Sequence, residues 1–258
     1  MRWVHREPRS DCSTTGSPWR LPSHRSTAGA RRSTVYDVVV SEHPPRPPRS
    51  GASDTAADGL SPGHELREAQ RLLAAGDARA AAQRLRGLVA RGPLPPALEA
   101  DARYLLGGAL GASSDRDAMT AEWAAVLRLD AAAAPPEPLL ALEEFESVAE
   151  AALAELSQEH LDLLGNVAVL IADRPSAEMV AGGTDPRVLG LYHGVPLAQR
   201  SVSFGAPYAD TIHLFQANLE RVSATRAALA KRIRVVVLHE TAHYFGYTEA
   251  QLRRMGLA

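Results

Sequence analysis

Cysteine occurs once in the 258 residues, at Cys12, and lysine once, at Lys231. A single thiol excludes both a disulfide framework and a thiolate metal cluster within one chain, and it suits a reducing compartment. The formal net charge is -2, so bulk electrostatics favour neither nucleic acid nor an anionic membrane as a partner. No stretch approaches the ~18 consecutive apolar residues of a membrane span. The arginines near the start are not followed by the apolar run of a secretory signal. These absences predict a cytoplasmic protein, long enough for one or two domains with a real core. Arginine in place of lysine and the abundance of alanine reflect compositional bias, not function.

Residues 1 to about 60 are dominated by Arg, Ser, Thr, Pro and Gly, with a polyproline-type run at Pro44-Pro45-Arg46-Pro47-Pro48-Arg49. That composition predicts a disordered tail. Only Val35–Val40 has strand character there. From Ser61 to Asp130 the pattern is helical. Leu66, Ala69, Leu72 and Leu73 form one face, Gly76-Asp77 interrupts it, and Ala81, Leu85 and Leu88 form a second. A second pair comes next, with Tyr104, Leu105, Gly108 and Leu110, then Met119, Trp123, Val126 and Leu127. The Ala-Gly-Asp opening and closing prolines resemble a tetratricopeptide repeat. Two such units are fewer than an array needs, so the block is expected to lean on the C-terminal domain. It could offer a groove to a protein partner or simply pack.

A linker at Ala131–Pro138 precedes an amphipathic helix over Leu140–Leu156, with Leu142, Phe145, Val148 and Ala152 on one side. Asn166–Ala172 is an almost continuous apolar run, read as a strand buried on both faces. Ser176 can cap a short helix. Leu189–Leu197 reads as a strand or turn, and Thr211–Phe215 as a strand. Ser223 can cap a helix through Ala228, ahead of the most informative stretch.

That stretch is Val235–Gly246, which contains His239-Glu240-Thr241-Ala242-His243. On a helix, residues four apart share a face, so both imidazoles can reach one ion. Glu240 stands one step round, placed to meet a water rather than the metal. Two neutral imidazoles and an adjacent carboxylate suit a zinc hydrolase. Val235, Leu238, Ala242 and Phe245 are expected to form the anchoring stripe. Gly246 permits a left-handed turn after the second histidine.

Together these segments carry a resemblance. Phe145 to Ala258 resembles the minimal zincin-like metallopeptidases of bacteria. The matching pieces are Asn166–Val169 with Arg174-Pro175-Ser176, Leu189–Leu197, Asp210–Phe215, and His239–Gly246 with Leu252 downstream. The resemblance implies an α+β fold, a small mixed sheet crossed on one face by the metal helix. It also implies Zn²⁺ as cofactor and a peptide or protein as substrate. The family's third metal ligand is an aspartate, and Glu249 occupies its place here. The expected division is a tail over 1–60, a repeat-like helical segment over 61–135 and a zincin-like domain over 136–258.

The expected metal ligands are therefore His239, His243 and Glu249, with Glu240 as general base. His193 and Tyr192, in the Leu-Gly-Leu-Tyr-His-Gly segment, are candidates for substrate or oxyanion contact. His213 is a rival metal ligand. The leading reading is a zinc metallopeptidase. The alternatives are a protein-binding adaptor with a structural metal site and an inactive relative that binds metal weakly or not at all. A catalytic site keeps a position for water, whereas a structural one is closed by four protein ligands.

Overall fold

The computed structural model describes residues 2–5, 61–133, 137–165, 167–197 and 210–257. Four consecutive helices fill the first long described stretch: α1 (Pro62–Ala74), α2 (Ala78–Ala90), α3 (Pro96–Ala112) and α4 (Arg116–Ala132). Each packs on the next. Their limits arise from local chemistry. The side chains of Ser61, Asp77 and Asp115 accept from backbone N–H groups that the helix starts leave open. Gly76 takes the left-handed conformation between α1 and α2. The interior is built from Leu66, Ala69, Leu85, Leu88, Leu106 and Leu110. Within α3 the packed glycine is Gly107, not the expected Gly108: a Cβ there would lie 2.3 Å from Trp123 Cδ1, while Gly108 is exposed. The bulk of Trp123 decides which glycine faces α4. The two helical pairs agree with the repeat-like reading only in outline.

The remaining helices and strands form an α+β unit. α5 (Leu142–Leu153) and α6 (Gln158–Leu164) lead into β2 (Ala168–Ala172), α7 (Ala177–Ala181), β3 (Gly190–His193), β4 (Thr211–Phe215), α8 (Gln216–Arg221), α9 (Arg226–Tyr244) and α10 (Glu249–Met255). β2 runs parallel to β4, and β3 runs antiparallel to β4. The burial of β2 alternates, with Val169 and Ile171 buried and their neighbours half-buried. One face therefore seals the core, a correction to the expectation of burial on both. A further strand, β1 (Arg2–His5), pairs parallel with Ala168–Ile171, giving the order β1-β2-β4-β3. The composition of the tail predicts no structure throughout. Its first residues instead satisfy the open backbone groups that β2 would present as an edge. The strand expected at Val35–Val40 lies outside the described residues, as does Asn166.

α9 is continuous from Arg226, with Thr225 as its cap, so the two helices expected between Ser223 and Gly246 are one. Ser223 instead donates its hydroxyl to the Leu219 carbonyl at 2.8 Å. The anchoring residues of α9 are Leu229, Ile233, Val236 and Val237, packed with Phe145, Ala149 and Leu153 of α5 and with Ile212 and Leu214 of β4. Val235 and Leu238, expected in the stripe, are only half-buried, and Leu142 of α5 is exposed. In its last two turns α9 is enclosed almost all round, so no single stripe describes it. No helix among the described residues is long and apolar enough to cross a membrane.

The apolar interior of α1–α4 and that of the α+β unit are separate clusters. A polar junction joins them. Arg187, just before β3, is buried against α3 and α4. Its guanidinium donates to Asp130 from Nε at 2.9 Å and from Nη2 at 3.1 Å, and to Asp101 from Nη1 at 2.7 Å. It also lies 4.8 Å from the ring centre of Tyr104. Tyr104 in turn donates to Asp185 at 2.7 Å. On the other side, Asn218 of α8 donates to the carbonyls of Pro186 and Val188 at 3.0 and 2.8 Å. The segment entering β3 is thus held from both flanks.

Candidate metal centre

His239 and His243 stand one turn apart near the end of α9, both buried. Their Nε2 atoms are 3.0 Å apart. His239 Nδ1 lies 2.5 Å from the carbonyl oxygen of Leu257, and His243 Nδ1 lies 3.2 Å from that of Tyr247. A carbonyl oxygen can only accept, so both Nδ1 atoms carry the hydrogen. On a neutral ring so held, the Nε2 lone pair faces the neighbouring imidazole. Burial lowers the pKa of His243, and the neighbouring His239 lowers it further, which favours the neutral form that binds metals.

Past Tyr244 the chain reverses. Gly246 has φ 89°, its N–H bonds the His243 carbonyl, and the Tyr247 N–H bonds the Ala242 carbonyl. This is the glycine-terminated helix end expected from the sequence. Thr248 then caps α10, its N–H donating to Gln251 Oε1 at 2.8 Å. Glu249, the first residue of α10, comes back toward the histidines. Its Oε1 lies 3.2 Å from His243 Nε2 and 3.6 Å from His239 Nε2. One donor atom from each of the three residues falls within a group no wider than 4.8 Å. Two imidazole nitrogens and one carboxylate oxygen converging at this spacing are a donor set that fits a zinc-sized cation. His213, the rival ligand, is not in the group.

Glu240 is fully buried on the adjacent side of α9. Its Oε2 accepts from the backbone N–H of Tyr192 at 2.8 Å. Its Oε1 has no hydrogen-bond partner among the described residues. Burial, reinforced by the charge of Glu249 and opposed by the Tyr192 N–H, pushes its pKa up to about 8. The contact requires Gly190, the first residue of β3. A Cβ there would lie 2.5 Å from Val236 Cγ1 and 3.0 Å from Glu240 Cγ, so any side chain would force strand and helix apart. The glycine in Leu-Gly-Leu-Tyr-His-Gly was the available signal for this approach.

Tyr192 meets the site through its backbone. Its ring is buried edge-on to Tyr244, with the centroids 5.9 Å apart, and its hydroxyl donates to Asp210 at 2.8 Å. Tyr192 is a candidate for substrate or oxyanion contact by its place in the sequence; in the fold its hydroxyl is directed to Asp210, because the β3 pleat turns the ring into the core. His193, next along, is exposed at the end of β3 and is not in the three-residue group. Tyr247 and Leu257 contribute carbonyls, which no side-chain motif reveals.

A buried helix carrying His-Glu-x-x-His is thus set across a small mixed sheet, with a carboxylate turned back toward its two histidines. Residues 164–257 match the family model described as zincin-like metallopeptidase. The match runs from the end of α6 through α10 and leaves α1–α5 outside it. No curated protein matches the chain. The family match and the His/Glu group together support a zinc metallohydrolase in general.

Proposed function

We propose that the protein is a metallopeptidase in which His239, His243 and Glu249 hold Zn²⁺ and Glu240 is the general base. The observation that carries this reading is the division of labour between two carboxylates. Glu249 points an oxygen at both Nε2 atoms, whereas Glu240 is held back by the Tyr192 N–H. When bound, zinc supplies Lewis acidity, which brings the pKa of water to about 7 and polarises a carbonyl. The chain's own residues supply the rest. The Tyr192 N–H fixes Oε2 of Glu240 and so presents Oε1 for the proton. Burial, with the charge of Glu249, keeps the Glu240 carboxyl protonated near neutrality in the metal-free chain, and its ionised form would be favoured beside a divalent cation. Having taken the proton at Oε1, Glu240 is placed to pass it to the leaving amine.

The adaptor reading draws less support. Only three donors converge among the described residues, one fewer than a structural zinc site uses. Part of the α3–α4 surface is already engaged by Arg187 and Asp185 of the same chain. The test is metal analysis alongside hydrolysis of a diverse set of unfolded peptides. We expect one zinc per chain, and Glu240→Gln should retain it while hydrolysis falls by roughly two to four decades. Wild-type protein that takes up no zinc when supplied with it overturns the reading. A Glu240→Gln variant that loses metal as readily as His239→Ala overturns the role given to Glu240.

A further inference from the structure

The geometry assigns a positioning role to the last turn of the chain: the backbone carbonyl of Leu257 orients His239 toward the metal. The inference rests on His239 being a ligand, as proposed above. α10 has only one buried residue, Leu252, yet the segment from Tyr247 to Leu257 touches every member of the metal group. It begins with the Tyr247 carbonyl against His243 Nδ1, supplies Glu249, and ends with the Leu257 carbonyl against His239 Nδ1. The second carbonyl is aimed by a specific turn. Gly256 is left-handed, with φ 72° and ψ 26°, and the Leu257 N–H returns to the Leu252 carbonyl at 3.0 Å. That six-to-one bond is the signature of a Schellman end. It reverses the chain so that the next carbonyl faces inward, toward α9.

The consequence is chemical as well as steric. An acceptor on Nδ1 holds the hydrogen there, leaves Nε2 as the metal-binding atom and raises its basicity. Without it, the His239 ring can flip or adopt the other tautomer, and either change removes the lone pair from the group. The two histidines thus differ in how they are held. His243 is oriented from the turn directly after α9, while His239 depends on a residue 18 positions further along the chain.

Three variants of the full chain separate the carbonyl from the side chain. Ending the chain after Gly256 removes the acceptor and should weaken zinc binding by about 10–100-fold, measured by competition with a chromophoric chelator. Ending it after Leu257 turns the carbonyl into a carboxylate and should bind zinc at least as tightly as the full chain. Leu257→Ala keeps the carbonyl and should hold wild-type affinity. Equal losses in Leu257→Ala and the shorter truncation would assign the effect to side-chain packing and overturn the inference. In case the shorter chain fails to fold, ¹⁵N chemical shifts of the zinc-free full chain provide a second test. They should show the Nδ1–H tautomer for His239; the Nε2–H tautomer overturns the assignment. His239→Ala distinguishes the two failures. If it retains zinc, the proposed metal site is wrong; if it loses zinc while the truncated chain binds normally, only the role of Leu257 falls.

Discussion

The guanidinium of Arg187 and the imidazoles of His239 and His243 are all buried, but their surroundings differ in kind. Around Arg187 donors meet acceptors: its N–H groups find Asp130 and Asp101, and Asp185 receives the Tyr104 hydroxyl. Around His239 acceptors meet acceptors, as two Nε2 atoms and a Glu249 oxygen converge. A buried polar cluster that is internally matched stabilises one arrangement of the chain. A buried cluster of lone pairs is complete only with a cation. Both consist of charged and polar residues and neither is distinguished by composition; what separates them is the pairing of donors with acceptors.

Glu240 gives the largest expected effect on this contrast. Its carboxyl has an ordinary value of 4.5 and is pushed up to about 8 in the folded protein, burial being the main cause. Between those values the folded state keeps a proton that the unfolded chain releases. Stability of the metal-free protein is therefore full below about 4.5 and is lost as pH rises through about 8, by roughly 5 kcal/mol at 1.36 kcal/mol per pKa unit. Urea unfolding of metal-free wild type at pH 5 and pH 8.5 should show the loss, and Glu240→Gln should remove it. Equal stability at the two pH values in wild type would mean the carboxyl is not held in a water-poor site.

At the junction the expectation is opposite in kind and somewhat smaller. Asp130→Ala removes two of the three carboxylate bonds of Arg187 and strands part of a buried charge. The cost should be about 3 kcal/mol of folding stability, with zinc affinity unchanged. Removing α1–α4 altogether should cost the α+β unit less, because Arg187 then meets water. On that ground residues 136–258 are expected to fold and bind zinc alone, as the separate apolar clusters also suggest. Circular dichroism and metal analysis of that fragment decide; an insoluble or metal-free fragment makes the helices part of one core.

The two clusters also differ in how far the sequence reveals them. His239, Glu240 and His243 share a helix, and Gly246 signals the turn that returns Glu249, so the metal group is legible within eleven residues. Helix starts at Ser61, Asp77 and Ser176 are legible because a capping side chain acts within its own first turn. Arg187 is not, since its partners stand 57 and 86 positions away and nothing in periodicity brings α3 and α4 to that loop. The choice of Thr225 over Ser223, and of Gly107 over Gly108, turns on tertiary packing that overrides equivalent local chemistry. The carbonyls of Tyr247 and Leu257 are invisible for a simpler reason: every residue has one.

Within the metal group, Glu249 should show the graded response of a ligand rather than of a neighbour. Glu249→Ala should lower zinc affinity beyond the roughly 100-fold upper range of a residue that merely supports a ligand. Glu249→Asp should keep most of it, because the αL turn at Gly246 can bring a shorter carboxylate nearly as close. Chelator competition on both variants checks this. An alanine variant that binds like wild type would remove Glu249 from the donor set and leave two histidines, too few to hold zinc tightly.

The smallest effect is expected at His213, where composition alone would allow a ligand. It sits mid-strand in β4, opposite Leu170 of β2 and Leu191 of β3. Its Nε2 lies 3.2 Å from the Thr211 hydroxyl, and its ring stacks on Phe215 with centroids 6.1 Å apart. Burial, with the nearby His193, lowers its pKa from 6.5 to about 4, so it is neutral at physiological pH and metal-competent in principle. Position decides against it, because the sheet fixes its backbone and the three convergent donors exclude it. His213→Ala should therefore leave zinc affinity within about two-fold of wild type, far below the 10–100-fold change that even a supporting contact produces. Its signature lies in stability instead. The unfolded chain takes up a proton near pH 6.5 that the folded chain refuses until about pH 4, so folding weakens as pH falls across that window. His213→Phe should flatten that acid limb without touching the metal. If His213→Ala lost zinc as Glu249→Ala is expected to, the third ligand would have to come from β4 rather than from α10.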